Sequence, residues 1–269
     1  MKRMKWAAVC VALAAMAGFT SCLDNDDDGT RSGYGYYRVV NSYYGTTYFE
    51  DIYGYKYIPT ASFLSTSSSE LAYILFSYNQ NDMTQGAKEL DITLEGEPVY
   101  LERLGFNSTA LPAEDKTVSI TSLNASSGGI WGNNEFLILM PTLMLKSSTT
   151  EENLSSELAN HRLTLYYVPG EDTDSKTLTL HLRYTIDGIE SSDEESSTDE
   201  WEKDYNISYN YPAYVNISQA ISAYNSAGNV GNPEKIVIEY EKGSPTMDPE
   251  KKTSETAPYN WLTQTSATN

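Results

Sequence analysis

From Tyr34 onward the chain runs in short segments in which Tyr, Val, Ile, Leu and Thr alternate with polar residues, punctuated by glycine, serine and asparagine. A period of two marks strands with one buried face, and predicts strands over 36–41, 46–52, 55–61, 70–79, 88–94 and 97–104. Five or six short strands in about seventy residues suit a small closed barrel, which leaves no sheet edge exposed. The polar stretch from Asn107 to Lys116, with Pro112, is the predicted boundary. Beyond it come a strand at 117–123, a glycine turn at Gly128 and Gly129, and an apolar segment from Glu135 to Leu145 broken by Pro141. Proline cannot donate to a ladder, so this segment is either two short strands or a bulged one. Ser148 and Glu151 fit a capping box ahead of a helical turn carrying Leu154 and Leu158.

Leu178, Leu180, Leu182, Tyr184 and Ile186 alternate with polar residues, and Tyr205, Ile207, Tyr209 and Tyr211 do so again beyond an acidic loop. The pattern predicts a hairpin between them and, with 163–168 and 235–241, a β-sandwich. Between Ala213 and Ala227 the sequence supports two readings, a helix through Ile217 and Ile221 or a strand through Val215 and Ile217. The fold class is all-β, with a barrel over 34–106, a sandwich over 117–243 and a loose tail over 244–269. In that tail Tyr259, Trp261 and Leu262 are the residues able to dock.

The first residues break this texture. Lys2, Arg3 and Lys5 precede a 14-residue apolar run from Trp6 to Phe19, followed by Thr20, Ser21 and Cys22. As a helix that run measures roughly 21 Å, short of the ~30 Å core of a bilayer, so it reads as the apolar region of a signal peptide over 1–21. Cys22 is then the lipidation site at the mature terminus. Asp24, Asp26, Asp27 and Asp28 follow it within an acidic tether over 22–33. A calcium loop starting at Asp24 passes one test, Gly29 at its sixth position, and fails the other, with Gly35 where a bidentate glutamate belongs.

Removing 21 of 269 residues leaves 248, and takes three of the 18 Lys and Arg, so 15 basic residues face 37 acidic ones for a net charge of −22. Nucleic acid is excluded as a partner on these grounds, because phosphate binding needs clustered Lys and Arg. Of two cysteines, Cys10 leaves with the signal and Cys22 is acylated, which excludes disulfides, thiol catalysis and thiolate metal sites.

Cys22, the acids Asp24 to Asp28, a barrel ending in Glu97-Pro98-Val99-Tyr100-Leu101 and a sandwich ending in Lys235-Ile236-Val237-Ile238-Glu239-Tyr240 together resemble the NigD-like lipoproteins of Bacteroidetes. The resemblance implies an OB-type barrel followed by a β-sandwich, and export to the outer membrane. It also implies that the four aspartates direct the chain to the cell surface. That family has no established activity, and its operon association implies an immunity or interaction role.

Candidate chemistry is sparse. His161 and His181 have no metal-ligand neighbours at close spacing, and neither HExxH nor Gly-x-Ser-x-Gly occurs. His181 falls on the polar phase of its strand and reads as solvated, while His161 reads as a helix C-terminal cap. The acidic stretch from Asp187 to Asp204 reads as a solvated loop, with calcium as the other ion chemistry it suits. Nine tyrosines lie between Tyr34 and Tyr57. Their plain role is to fill one face of a strand-rich barrel. Those facing outward, with Tyr43, Tyr44 and Tyr48 as candidates, would stack on sugars or anchor an interface.

The expected function is that of a surface-exposed, lipid-anchored, non-enzymatic binding or structural lipoprotein with no cofactor and no metal. Its expected partners are the membrane, through Cys22, and a glycan or an envelope protein. A fimbrial-type subunit or adhesin is the alternative. A carbohydrate-active enzyme with paired carboxylates is a third reading, settled by a carboxyl separation of about 5–9.5 Å.

Overall fold

The computed structural model describes residues 29–42, 45–61, 63–84, 86–171, 176–189, 200–229 and 231–261. These divide into two compact units, 29–103 and 104–261. Cys22, Asp24, Asp26, Asp27, Asp28, Tyr43, Tyr44, Leu262 and the acidic residues 190–199 lie outside the described residues.

The first unit is a closed barrel. Strand β1 (Thr30–Asn41) pairs antiparallel with both β2 (Thr47–Glu50) and β4 (Leu71–Asn79). Strand β3 (Lys56–Pro59) pairs antiparallel with β2 and parallel with β5 (Glu89–Leu94), and β5 pairs antiparallel with β4. The ring β1-β2-β3-β5-β4-β1 is the strand order of an OB barrel. Two short strands follow, β6 (Val99–Tyr100), which adds to β4, and β7 (Glu102–Arg103). The alternation places Tyr37, Phe49, Ala72, Ile74, Phe76 and Ile92 inside, closed over by Tyr57, Phe63 and Leu90.

Strand β1 starts earlier than its apolar pattern does, so the expected tether over 22–33 is shortened from its end. Thr30 through Gly33 already pair with Asn79 through Phe76. Gly33 is required there, because a Cβ at that position would lie 2.5 Å from the Phe76 ring. Main-chain pairing and a glycine contact leave no apolar trace in the sequence.

The second unit contains a five-stranded sheet ordered β18-β17-β14-β13-β8, made of β8 (Gly105–Asn107), β13 (His161–Tyr166), β14 (Thr177–Ile186), β17 (Lys235–Lys242) and β18 (Thr253–Asn260). Opposite it lie β9 (Ser122–Leu123), β12 (Pro141–Lys146) and β15 (Tyr205–Asn210), and then β10 (Gly129–Trp131), β11 (Phe136–Leu139) and β16 (Ala213–Asn216). The Leu178–Ile186 alternation and Ile236, Ile238 and Tyr240 share one core with Leu137, Leu139, Leu143 and Leu165. Pro141 does split its segment into two strands, and the break is bridged by the Tyr211 amide donating to the Pro141 carbonyl at 2.8 Å. The segment from Ala213 is both strand and helix, β16 followed by a helix over Ser218–Ser226.

Three expectations are corrected. Strands β14 and β15 do not form a hairpin: β14 pairs with β13 and β17, and β15 with β12. Alternation fixes which face a strand buries and leaves its neighbour open. The tail is not loose as far as Asn260, since β18 pairs with β17 along its whole length and buries Ala257 and Tyr259. A helix does form over Leu154–Leu158, but the Ser148–Glu151 capping box does not; Asn153 bonds instead to the Thr150 amide and the Ser148 carbonyl.

Candidate functional site

The barrel exposes its apolar groups unevenly. In an antiparallel pair the end of one strand lies beside the start of the next, so the pairings fix which loops share an end. Thr30 pairs with Asn79, Glu50 with Lys56, and Lys56 with Glu89. The Gln80 amide donates to the Gly29 carbonyl at 2.9 Å, and the Lys56 amide to the Lys88 carbonyl at 2.8 Å. The chain's entry at Gly29, the turn 51–55 and the connection 80–88 are therefore on one end. Seven large apolar or aromatic side chains are exposed among the described residues, and four of them, Ile52, Tyr53, Tyr55 and Met83, belong to this end.

Asp51 holds the turn. Its Oδ1 accepts from the amides of Tyr53 at 2.8 Å and Tyr55 at 3.0 Å, and its Oδ2 from the Tyr57 hydroxyl at 3.3 Å. The Asp51 amide donates to the Tyr55 carbonyl, the Gly54 amide to the Asp51 carbonyl, and Gly54 takes φ +77°, which favours glycine. Burial, and then the neighbouring Asp51 carboxylate, push the Tyr57 phenol up to about 12. The turn thus presents two exposed phenol rings and an isoleucine from a fixed backbone, with Tyr53 58% exposed.

Tyr48 is the one member of the expected aromatic trio that the structure describes. It is half-buried on the outer face of β2, with Lys56 Nζ 5.5 Å from its ring centroid. Lys56 in turn pairs with Glu89 at 3.0 Å. Tyr53 and Tyr55 belong to the tyrosine-rich stretch singled out from the sequence but not to its named trio, and Ile52 was missed, although Asp51 ahead of Gly54 is a turn signal.

Both histidines are buried, correcting the expectations of a solvated strand residue and a helix cap. His181 Nε2 meets Glu171 at 2.6 Å and its Nδ1 meets Glu239. The network continues through Arg183, 3.3 Å from Glu239 and 3.6 Å from Glu241, to Lys252, 3.2 Å from Glu241. Thr117 donates to Glu241 at 2.6 Å and Ser254 to Glu239 at 2.8 Å. Burial alone lowers the His181 pKa, but Glu239 and Glu171 together outweigh it and hold His181 above its ordinary value. Burial works to raise the Glu239 carboxyl, yet His181, Arg183 and Ser254 bring it down to about 2. His161 bonds to Glu157 at 3.2 Å and to the Tyr184 hydroxyl, and burial lowers its pKa. These groups satisfy one another and tie elements of the sandwich together.

A cleft of about 680 Å³ in the second unit is lined by Phe106, Asn107, Pro169 and the Gln219, Ser222 and Ser226 face of the helix over Ser218–Ser226. None of the described residues lining it is titratable, so they supply no acid–base pair. Among the described residues no group of three or more His, Cys, Asp or Glu is placed to hold a metal ion, and no helix is long and apolar enough to cross a membrane. Of the acidic loop, Asp187 pairs with Arg162 at 2.6 Å, and Glu202 lies 3.9 Å from Lys251.

The sequence matches no protein-family model, and no curated protein matches it. Solved structures do. A crystal structure described as a "Putative lipoprotein" from Bacteroides fragilis is 20% identical, covering 87% of this chain and 99% of that one at a TM-score of 0.66. A protein of unknown function from Bacteroides vulgatus is 12% identical over 87% of this chain and 92% of that one, at 0.50. A NigD-like immunity protein from Bacteroides caccae is also matched, at 11% identity over 84% and 91% and a TM-score of 0.46. At these identities the likeness is one of fold, and the barrel-plus-sandwich implied by the NigD-like resemblance is the fold observed.

Proposed function

We propose that this chain is a lipid-anchored, surface-displayed lipoprotein of non-enzymatic character, a binding module whose contact surface is the turn 51–55. The observation that carries it is Ile52, Tyr53 and Tyr55 standing exposed on a backbone locked by Asp51. Aromatic side chains on a preorganised turn lose little entropy on contact and serve as anchors in recognition surfaces. The anchor itself rests on Cys22 behind its apolar run, and the fold shared with a structure described as a lipoprotein supports it. Outer-membrane display rests on Asp24, Asp26, Asp27 and Asp28. The non-enzymatic reading is supported by both histidines being consumed in buried internal bonds.

A photo-crosslinking side chain placed at position 53 in intact cells tests the contact surface. The expected result is a covalent adduct from position 53 and none from the exposed Glu97 position at the opposite end of the barrel. Equal adduct formation from both positions, or none from 53, would contradict the proposal.

A further inference from the structure

We propose that the surface contacted by this turn is the interface of the bilayer that holds the chain's own acyl anchor. The inference deepens the binding-module reading and rests on its lipidation of Cys22. Gly29 is seven residues beyond Cys22, and seven peptide units span at most roughly 25 Å whatever their conformation. The barrel end on which Gly29 enters is therefore the end held near the membrane. It is also the end that carries Ile52, Tyr53 and Tyr55 from the β2–β3 turn and Met83 from the β4–β5 connection.

The chemistry of that end suits a headgroup boundary. Tyrosine is enriched at membrane–water interfaces because its ring is apolar and its hydroxyl is wet. Isoleucine and methionine add apolar area at the same end of the barrel. Lys88 and Asp82 are exposed in the connection that carries Met83, and Lys56 is paired with Glu89. A short tether makes the second contact intramolecular, so a patch too weak to bind vesicles alone becomes occupied once the acyl chains are inserted. Asp51 then has a purpose beyond folding: it fixes the angle at which the rings leave the barrel.

The experiment uses the full lipidated chain in phosphatidylcholine vesicles, with one environment-sensitive fluorophore on a cysteine at position 53 or 97; Cys22, once acylated, takes no label. The expected result is co-flotation of both, with blue-shifted emission from position 53 and several-fold stronger quenching there by lipid-borne quenchers than at position 97. Flotation with position 53 as water-exposed as position 97 would overturn the bilayer contact while leaving the anchor intact. An emission change at 53 that appears only on adding a protein extract would overturn it in favour of a protein partner. Failure of the chain to float would overturn the anchor and, with it, the proposal.

Discussion

Asp51 accepts three hydrogen bonds through one carboxylate, two from amides and one from a phenol. Asp51→Ala should cost about 1–2 kcal/mol, the scale of losing such bonds at a partly solvated site. Amide hydrogen exchange checks this: protection of the Tyr53 and Tyr55 amides should fall sharply while that of β4 holds. Unchanged protection at both amides would show that the turn keeps its shape without the carboxylate. Sequence alternation extended the strands to 46–52 and 55–61 and left only a tight turn between them. The strands stop at Glu50 and resume at Lys56 because this side chain competes with the ladder for the backbone.

His181 shows a second limit on what the sequence discloses. Its phase in the alternation was legible, and it does lie on the face opposite Leu180 and Leu182. Its burial was not, because Glu171, ten residues before it on the connection into β14, and Glu239, on the neighbouring strand β17, close over it. Held above its ordinary 6.5, protonated His181 contributes stability that is complete below pH 6.5 and is lost as pH rises through its folded value. Glu239, at about 2 against 4.5, contributes above pH 4.5 and is lost as pH falls toward 2. His161 has the opposite sign to His181, so the comparison is made between the wild-type protein and His181→Gln. Relative to that variant, the wild-type melting temperature should decline from pH 6.5 upward; parallel profiles would refute a charged His181.

At the scale of elements, the longer alternating strands were well marked, while the short β8, the polar-looking β18 and the partnerships between strands were not. Strands β2, β3, β4 and β5 occur near their predicted positions, bounded by turn residues, whereas β1 begins six residues early and the expected strand over 97–104 is the two short strands β6 and β7. The false hairpin between β14 and β15 arose because the two alternating runs are neighbours in sequence, whereas their partners lie on other elements. Strand β18 was misread because Thr253, Ser254, Glu255 and Thr256 read as polar tail, yet its last turn of alternation buries Ala257 and Tyr259. Tyr259→Ala should destabilise the protein by about 3 kcal/mol or more, as for other large core rings. Chemical denaturation followed by circular dichroism measures it, and a loss within error would place β18 outside the core.

For the whole molecule, the division into barrel and sandwich followed from texture, while the charge balance excluded one partner class without naming another. The barrel end shared by Gly29, Tyr53 and Met83 emerges only from strand pairing, since the three are far apart in sequence. Replacing Asp24, Asp26, Asp27 and Asp28 with alanine should retain lipidation and lose surface display, read by protease shaving of intact cells; undiminished cleavage would reduce these acids to a linker. Everything proposed for the barrel end depends on the anchor at Cys22. The direct measurement is incorporation of a palmitate analogue in cells expressing the wild-type chain or Cys22→Ala. Label in the wild-type chain and none in the variant is the predicted result, and equal labelling of the two, or none in either, would contradict it.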